Sequence, residues 1–343
     1  MSTAAEFPLP PKVIPIMASM VFYTCVSAFL QFLVMVPFWS AVVRWRAHYN
    51  PKRVRHQNHG GEGQPLVENA STIAPALAYF TILKRVYKVE GFKGYYKGFV
   101  PYILSMFLFI VVHEVIFKYP RTTPSEGNSQ REDTTFRKLT IYFARSLYSW
   151  IVHSAYDMPL EIIAHRAITT PYKLPWLSPS KSLGILLSPS ERRSPWRLYL
   201  LPGYLASRAI MAAYWLGIEP LRVVLVPGNP LDPDHTGKEL FQYLLFAGVF
   251  ALVQTPLQVA IVRLSLQRYH DTEPRGGDDR SGRGRVSKER EAGIQRYSNE
   301  DVITLKDTNR FPYTGLFDCV NKIINEEGWK TLMKSGWLTF LGM

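Results

Sequence analysis

The sequence predicts an all-α membrane protein, a bundle of three pseudo-repeats with about five transmembrane helices and short amphipathic helices between them. Three observations predict it. Uncharged runs are long enough to cross a bilayer. The phrase VEGFKGYYKGFVPY at 89–102 returns as EEGWKTLMKSGW at 326–337. A proline is followed seven residues later by arginine at Pro37 and Arg44, at Pro159 and Arg166, and at Pro256 and Arg263. Repetition of this kind is read before any single element, because each copy is one structural unit.

The first span is Val13 to Val43, 31 residues without a charge, too long and too uniformly apolar for a buried helix of a soluble protein. The residues before it lack the basic start of a secretory signal, so this span is expected to be retained, with an internal targeting signal. RWRAHYNPKRVRH at 44–56 follows and holds part of the formal +13 charge; such a cluster beside a span orients it. No nucleic-acid motif accompanies the basic balance, so no nucleic-acid partner is expected. Phe99 to Val112 is the second uncharged run, while 139–165 and 198–226 are apolar stretches interrupted by Arg145 and Arg208, and Leu240 to Val262 is again uncharged. The repeated phrase describes a helix end meeting a tight turn before a new helix. A weaker copy, SPWRLYLLPGYL at 194–205, has Trp196-Arg197 in place of Phe92-Lys93 and Trp329-Lys330. The repeats are therefore 1–130, 131–230 and 231–343. Residues 268–310 mix both charge signs with Gly and Ser and read as a disordered loop.

Cys25 and Cys319 are the two cysteines, too few for a disulfide framework or a metal site. No nucleophile, metal or phosphate-loop constellation is present, so neither an enzyme nor a cofactor is expected.

The prolines, the Glu-Gly phrases and their order resemble the mitochondrial carrier family over almost the whole chain. The resemblance implies three repeats, each with a proline-bearing odd helix, a short matrix helix and an even helix, arranged around a central solute cavity. Tyr313 to Trp337 follows the family's matrix-helix pattern most closely. After Gly336-Trp337 the sequence reads LTFLGM, whereas a span needs about 20 residues; the sixth helix is expected to be absent and the third repeat truncated.

The family carries an acid two positions after each proline and a cation five after, forming a ring of ion pairs. Here those positions are Trp39, Glu161 and Gln258, then Val42, Ala164 and Ile261. Glu161 alone remains, and it could pair with Arg166, pair with His165, or face water. On the opposite side the family uses an aromatic, an acid and a cation three after the acid; Glu219 and Arg222 keep the latter spacing, while Glu114 and Lys118 are four apart.

Ionisable residues within spans are functional candidates. Arg145, His153 and Asp157 lie on the third span and Arg208 on the fourth. Positions corresponding to the family's contact points are Ser105, seven after Gly98, and Ile210 and Met211, seven and eight after Gly203; the last two could equally pack. Arginines in an apolar cavity favour an anionic cargo, the alternative being that each is pinned to a carbonyl at a kink or to a neighbouring acid. The resemblance also implies cardiolipin at Tyr96-Lys97-Gly98 and at the Tyr313-Thr314-Gly315 turn, where free backbone donors meet a helix N-terminus. Lys97 could equally be an interfacial anchor.

Two functions follow. One is transport of a small anionic solute across a mitochondrial membrane, the inner ahead of the outer. The other is a repurposed member of the fold in the mitochondrial membrane, acting as a fusion, interaction or protein-insertion scaffold without a transport cycle.

Overall fold

The computed structural model describes residues 13–51, 75–117, 131–175, 178–225, 237–269, 295–298, 300–308 and 311–341. The first repeat holds α1 (Val13–Ala47), α2 (Pro75–Glu90), α3 (Phe92–Tyr95) and α4 (Phe99–Phe117). The second holds α5 (Arg131–Thr169), α6 (Pro179–Leu186), α7 (Pro189–Arg193) and α8 (Tyr204–Leu225). In the third are α9 (Gly237–Leu266), α10 (Leu316–Glu326), α11 (Trp329–Met333) and α12 (Gly336–Leu341). Extended structure among the described residues is confined to one isolated bridge, Tyr172 with Arg296.

The long helices form because nothing in them stops a helix except the prolines. Pro37, Pro159 and Pro256 lie inside α1, α5 and α9, where neighbouring helices make a proline tolerable in a bilayer. At 35 and 39 residues, α1 and α5 exceed the roughly 30 Å hydrocarbon thickness at ~1.5 Å per residue. Phe92–Val112 and Gly237–Leu266 meet the length and composition of a span. Outward faces are apolar, with Phe29 and Val34 of α1 and Val249 and Leu252 of α9 exposed. The described residues form an all-α bundle whose long helices suit a membrane protein.

Topology follows from which helices touch. α1, α5 and α9 contact one another pairwise and form the centre. α4 packs on α5, and α8 packs on both α5 and α9, so each even helix reaches the odd helix of the following repeat. The short helices close one end. In α2 the buried positions Ala78, Ile82, Val86 and Glu90 recur every four residues, one stripe of an amphipathic helix. In α10 Leu316, Cys319 and Ile323 are buried while Phe317 faces out. Burial pushes the Cys319 thiol up to about 12, so it acts as a small apolar filler.

Two sequence expectations need correction. Arg44 and Arg46, read as part of the basic cluster that orients the first span, are buried, because each finds internal hydrogen-bond acceptors; residues 52–56 lie outside the described residues. The loop expected to be disordered across 268–310 is partly packed. Val302 and Ile303 join the buried cluster of Val43, Ile82 and Val86, and Tyr49 exchanges backbone and side-chain bonds with Thr304 at 3.0 and 2.7 Å. A polar composition hid two buried hydrophobic residues. Residues 270–294 lie outside the described residues.

Candidate functional site

The three arginines seven residues after the prolines build the closed end. Arg44 meets Glu90 at 2.6 Å, Arg166 grips Glu191 with two bonds of 2.8 and 2.9 Å, and Arg263 meets Glu327 at 2.9 Å. All six side chains are nearly inaccessible, at 4% or less. Each pair ties an odd helix to the short helices of its own repeat. The spare guanidinium donors then cross between repeats: Arg166 donates to the carbonyls of Ser265 and Gln267, and Arg263 to those of Arg46 and His48. A buried ion pair repays its desolvation when remaining donors are satisfied this way. Sequence reasoning placed the arginines but missed their acids, although Glu90-Gly91 and Glu327-Gly328 stood inside the repeated phrase. Glu161 does not pair with Arg166, which is taken by Glu191.

The ring positions that lost their charges are packed instead. Val42, Ala164 and Ile261 are buried. Trp39 donates from Nε1 to the Tyr102 hydroxyl at 2.8 Å, and Gln258 accepts a hydrogen bond from Arg46. One charged group therefore reaches across from α1 to α9, where the family's pattern would place ion pairs.

Above this closure lies a cavity of about 900 Å³ whose walls include Trp39, Arg46, Tyr102, Asp157, Glu161 and Gln254. Its volume suits a small solute. Arg46 bonds only to uncharged partners among those described, Ser335 at 3.0 Å, Thr339 at 3.3 Å and Gln258. The buried Gln254 carbonyl oxygen lacks a hydrogen-bond partner among the described residues, as does the Trp337 ring nitrogen, and both side chains line the cavity. Arg46 was not among the residues expected here, because beside a span it reads as an orienting charge.

Of the residues expected in the cavity, Ser105 and Arg208 converge on the acids. Ser105 donates to Asp157 at 2.7 Å, and Arg208 reaches Asp157 at 2.9 Å and Glu161 at 3.2 Å. Tyr204 donates to Glu161 at 2.5 Å, and His153 stands 3.6 Å from Asp157. Arg145 is exposed on the outside of α5 and Ile210 is 41% exposed on α8; neither lines the cavity. Met211 packs in the core with Met158 and Val259, so its role is packing. Arg222 is half-buried in the last turn of α8. The side chains of Glu219 and Glu114, and all of Lys118, lie outside the described residues.

The positions expected to hold lipid are arranged differently from that expectation. Lys97 is buried, donating to Glu90 and to the Thr170 carbonyl at 2.6 Å each, so its ammonium is spent inside the protein. Tyr313 is likewise buried, its backbone paired with the Gln267 side chain. What faces outward is a groove of about 250 Å³ between Tyr96–Leu104 and Leu174–Leu186, flanked by Tyr297. Gly98 has φ +81 and Gly203 φ +76, a left-handed backbone that glycine adopts without penalty. Gly203 also abuts the third turn motif, since a Cβ there would sit 2.3 Å from the Leu316 nitrogen.

A comparison with curated proteins finds no match. The family model described as mitochondrial carrier protein matches residues 16–122, which span the first proline, the first Glu-Gly phrase and the first hinge glycine. Members of that family are transporters rather than enzymes and cross a mitochondrial membrane several times. The match covers about a third of the chain, and over those residues the chain is similar to mitochondrial carrier proteins.

Proposed function

We propose that the protein moves a small solute with an anionic group through the central cavity by alternating access, in the inner mitochondrial membrane. The observation that carries this reading is Arg46, a buried cation at the cavity wall whose bonds go to neutral groups. A desolvated guanidinium satisfied by neutral partners keeps a favourable interaction for an incoming carboxylate or phosphate. Arg208 does not serve this way, because Asp157 and Glu161 already hold it. Trp39 and Tyr102 would pack the apolar part of the cargo, and the free Gln254 oxygen would accept from it. Cardiolipin in the groove beside Tyr96 and Gly98 fits the same reading, through backbone donors at the start of α4 rather than through Lys97.

The test is uptake from a small-metabolite extract into cardiolipin-containing proteoliposomes, with solutes quantified by mass spectrometry. Arg46→Gln should abolish uptake of the anion found, and unchanged uptake by that variant would remove Arg46 from the site. A second reading, a carrier fold retained as a scaffold without a cycle, is favoured by the apolar packing of Val42, Ala164 and Ile261 where an ion-pair ring would reversibly open. Protein-dependent uptake of no solute, with the protein accessible to protease on intact mitochondria, would favour that scaffold in the outer membrane.

A further inference from the structure

On α5 the residues His153, Asp157, Glu161 and His165 stand one helical turn apart. The series spans about 18 Å along the axis at ~1.5 Å per residue. Its middle members line the cavity, and His165 is buried beneath it at the closed end, at 2% exposure. We infer that this ladder binds one proton from the cavity and passes it toward the closed end, coupling solute movement to protons.

The charge count supports a bound proton. With both histidines neutral, Asp157 and Glu161 are paired with one cation, Arg208, and Arg46, held by neutral groups, balances the second acid until an anionic cargo takes it; the loaded cluster then carries one negative charge in excess. A buried uncompensated carboxylate is costly, and taking a proton removes that cost. The groups facing the ladder from other helices are few. α8 contributes Arg208 and Tyr204, α4 contributes Ser105 and Tyr102, α1 contributes Arg46, which Glu161 and His165 both feel, and Tyr156 sits on α5 itself. From α9 come the neutral Gln258 and Ser265.

Hydrogen-bond direction shows where the proton can go. The Ser265 hydroxyl gives its hydrogen to the Val262 carbonyl at 2.7 Å. Its 2.8 Å contact with His165 Nδ1 therefore uses a hydrogen on that nitrogen, as the donor inventory of the two groups requires. Neutral His165 then keeps its lone pair on Nε2, which faces Glu161 Oε1 at 4.0 Å. The step is a single proton transfer once the two side chains close to hydrogen-bond distance: the O–H bond of a protonated Glu161 breaks, an N–H bond forms at His165 Nε2, and the imidazole becomes cationic while the carboxylate is restored. At the cavity end, His153 Nε2 lies 3.6 Å from Asp157 Oδ2 and can exchange protons with cavity water. Ionisable chains of this kind inside spans mark proton pathways.

The inference rests on the transport reading, and one experiment separates the two. Wild type is reconstituted in proteoliposomes and offered the small-metabolite extract with and without an imposed gradient of one pH unit, interior alkaline. One-proton coupling predicts about tenfold accumulation of the transported anion across that gradient, one pH unit being ~1.36 kcal/mol. Asp157→Asn, neutral at every pH, should give an accumulation ratio near one with and without the gradient, and Glu161→Gln provides a second variant if the first does not fold. A merely structural role would slow both conditions alike and preserve their ratio. Wild-type uptake indifferent to the gradient overturns the coupling and leaves the transport reading standing. Absence of uptake under every condition overturns both.

Discussion

Replacing Glu191 with Gln isolates one charge in the frame that closes the bundle. Glu191 is fully buried and receives two bonds from Arg166, at 2.8 and 2.9 Å, and one each from the backbone nitrogens of Ser188 and Tyr269. It also completes a capping box with Ser188 at the start of α7. Glutamine suits a capping box as well as glutamate does, so the local turn survives while the ionic partner of Arg166 is lost. Breaking a buried pair by removing one partner costs about 3–5 kcal/mol, because the other charge is left uncompensated. At a few degrees per kcal/mol, the melting temperature should fall by on the order of 10 °C.

The pH dependence sharpens the prediction. Burial works against ionisation of Glu191, but the Arg166 bonds and charge outweigh it and hold the carboxyl below its ordinary value. Its contribution is therefore complete above the unfolded carboxylate pKa of about 4.3 and is lost as pH falls through the lower folded value. The gap between wild type and Glu191→Gln, followed by thermal unfolding in detergent, should be constant near neutrality and close below about pH 4. Adding Arg166→Gln to Glu191→Gln should recover part of the loss, because no buried charge is then left uncompensated. A gap under ~1 kcal/mol, the value typical of an exposed pair, would refute the reasoning, as would a double variant no better than the single one.

Arg208→Ala should lower both stability and uptake, since Asp157 and Glu161 lose their shared cation; breaking such a pair costs about 3–5 kcal/mol, and full retention of melting temperature would contradict the cluster's charge count. Gly203→Ala should be much worse than Gly91→Ala when both are compared by melting temperature. Both glycines have positive φ, but the added methyl meets backbone at 2.3 Å in the first case and nothing within 4 Å in the second, so Gly91→Ala should cost only the ~1–3 kcal/mol of a backbone conformation that is nearly glycine-only. Lys97→Met should lower the melting temperature, because the ammonium gives one bond to Glu90 and one to the Thr170 carbonyl; breaking a buried pair costs about 3–5 kcal/mol, and an unchanged melting temperature would contradict that pairing.

The fold was legible because the repeat is written in residues whose physics does not depend on context. Uncharged runs of span length, prolines with arginine at fixed spacing, and hinge glycines each constrain backbone or solvent exposure directly. Pairings across the chain were not legible in that way. Arg208 read equally as an anion contact and as a cation pinned to an acid, and the acids that decide it stand 51 and 47 residues away in sequence. Lys97 read as a lipid contact because it stands in the Tyr96-Lys97-Gly98 pattern, while Glu90, seven residues before it, draws the ammonium in. Arg46 shares the RWR stretch with Arg44 and looked like a flanking charge, yet the two arginines turn to different partners, Glu90 for one and Ser335 for the other. In the polar 295–308 segment composition pointed to solvent, and Val302 and Ile303 supplied the packing that composition averaged away.

Direct uptake by the reconstituted wild-type protein tests the central claim, that the cavity is a transport site with Arg46 as its anion contact. In cardiolipin-containing proteoliposomes offered a small-metabolite extract, the account predicts protein-dependent accumulation of at least one anionic solute, abolished by Arg46→Gln in a protein that still unfolds cooperatively. Equal solute content in proteoliposomes and protein-free liposomes would contradict it.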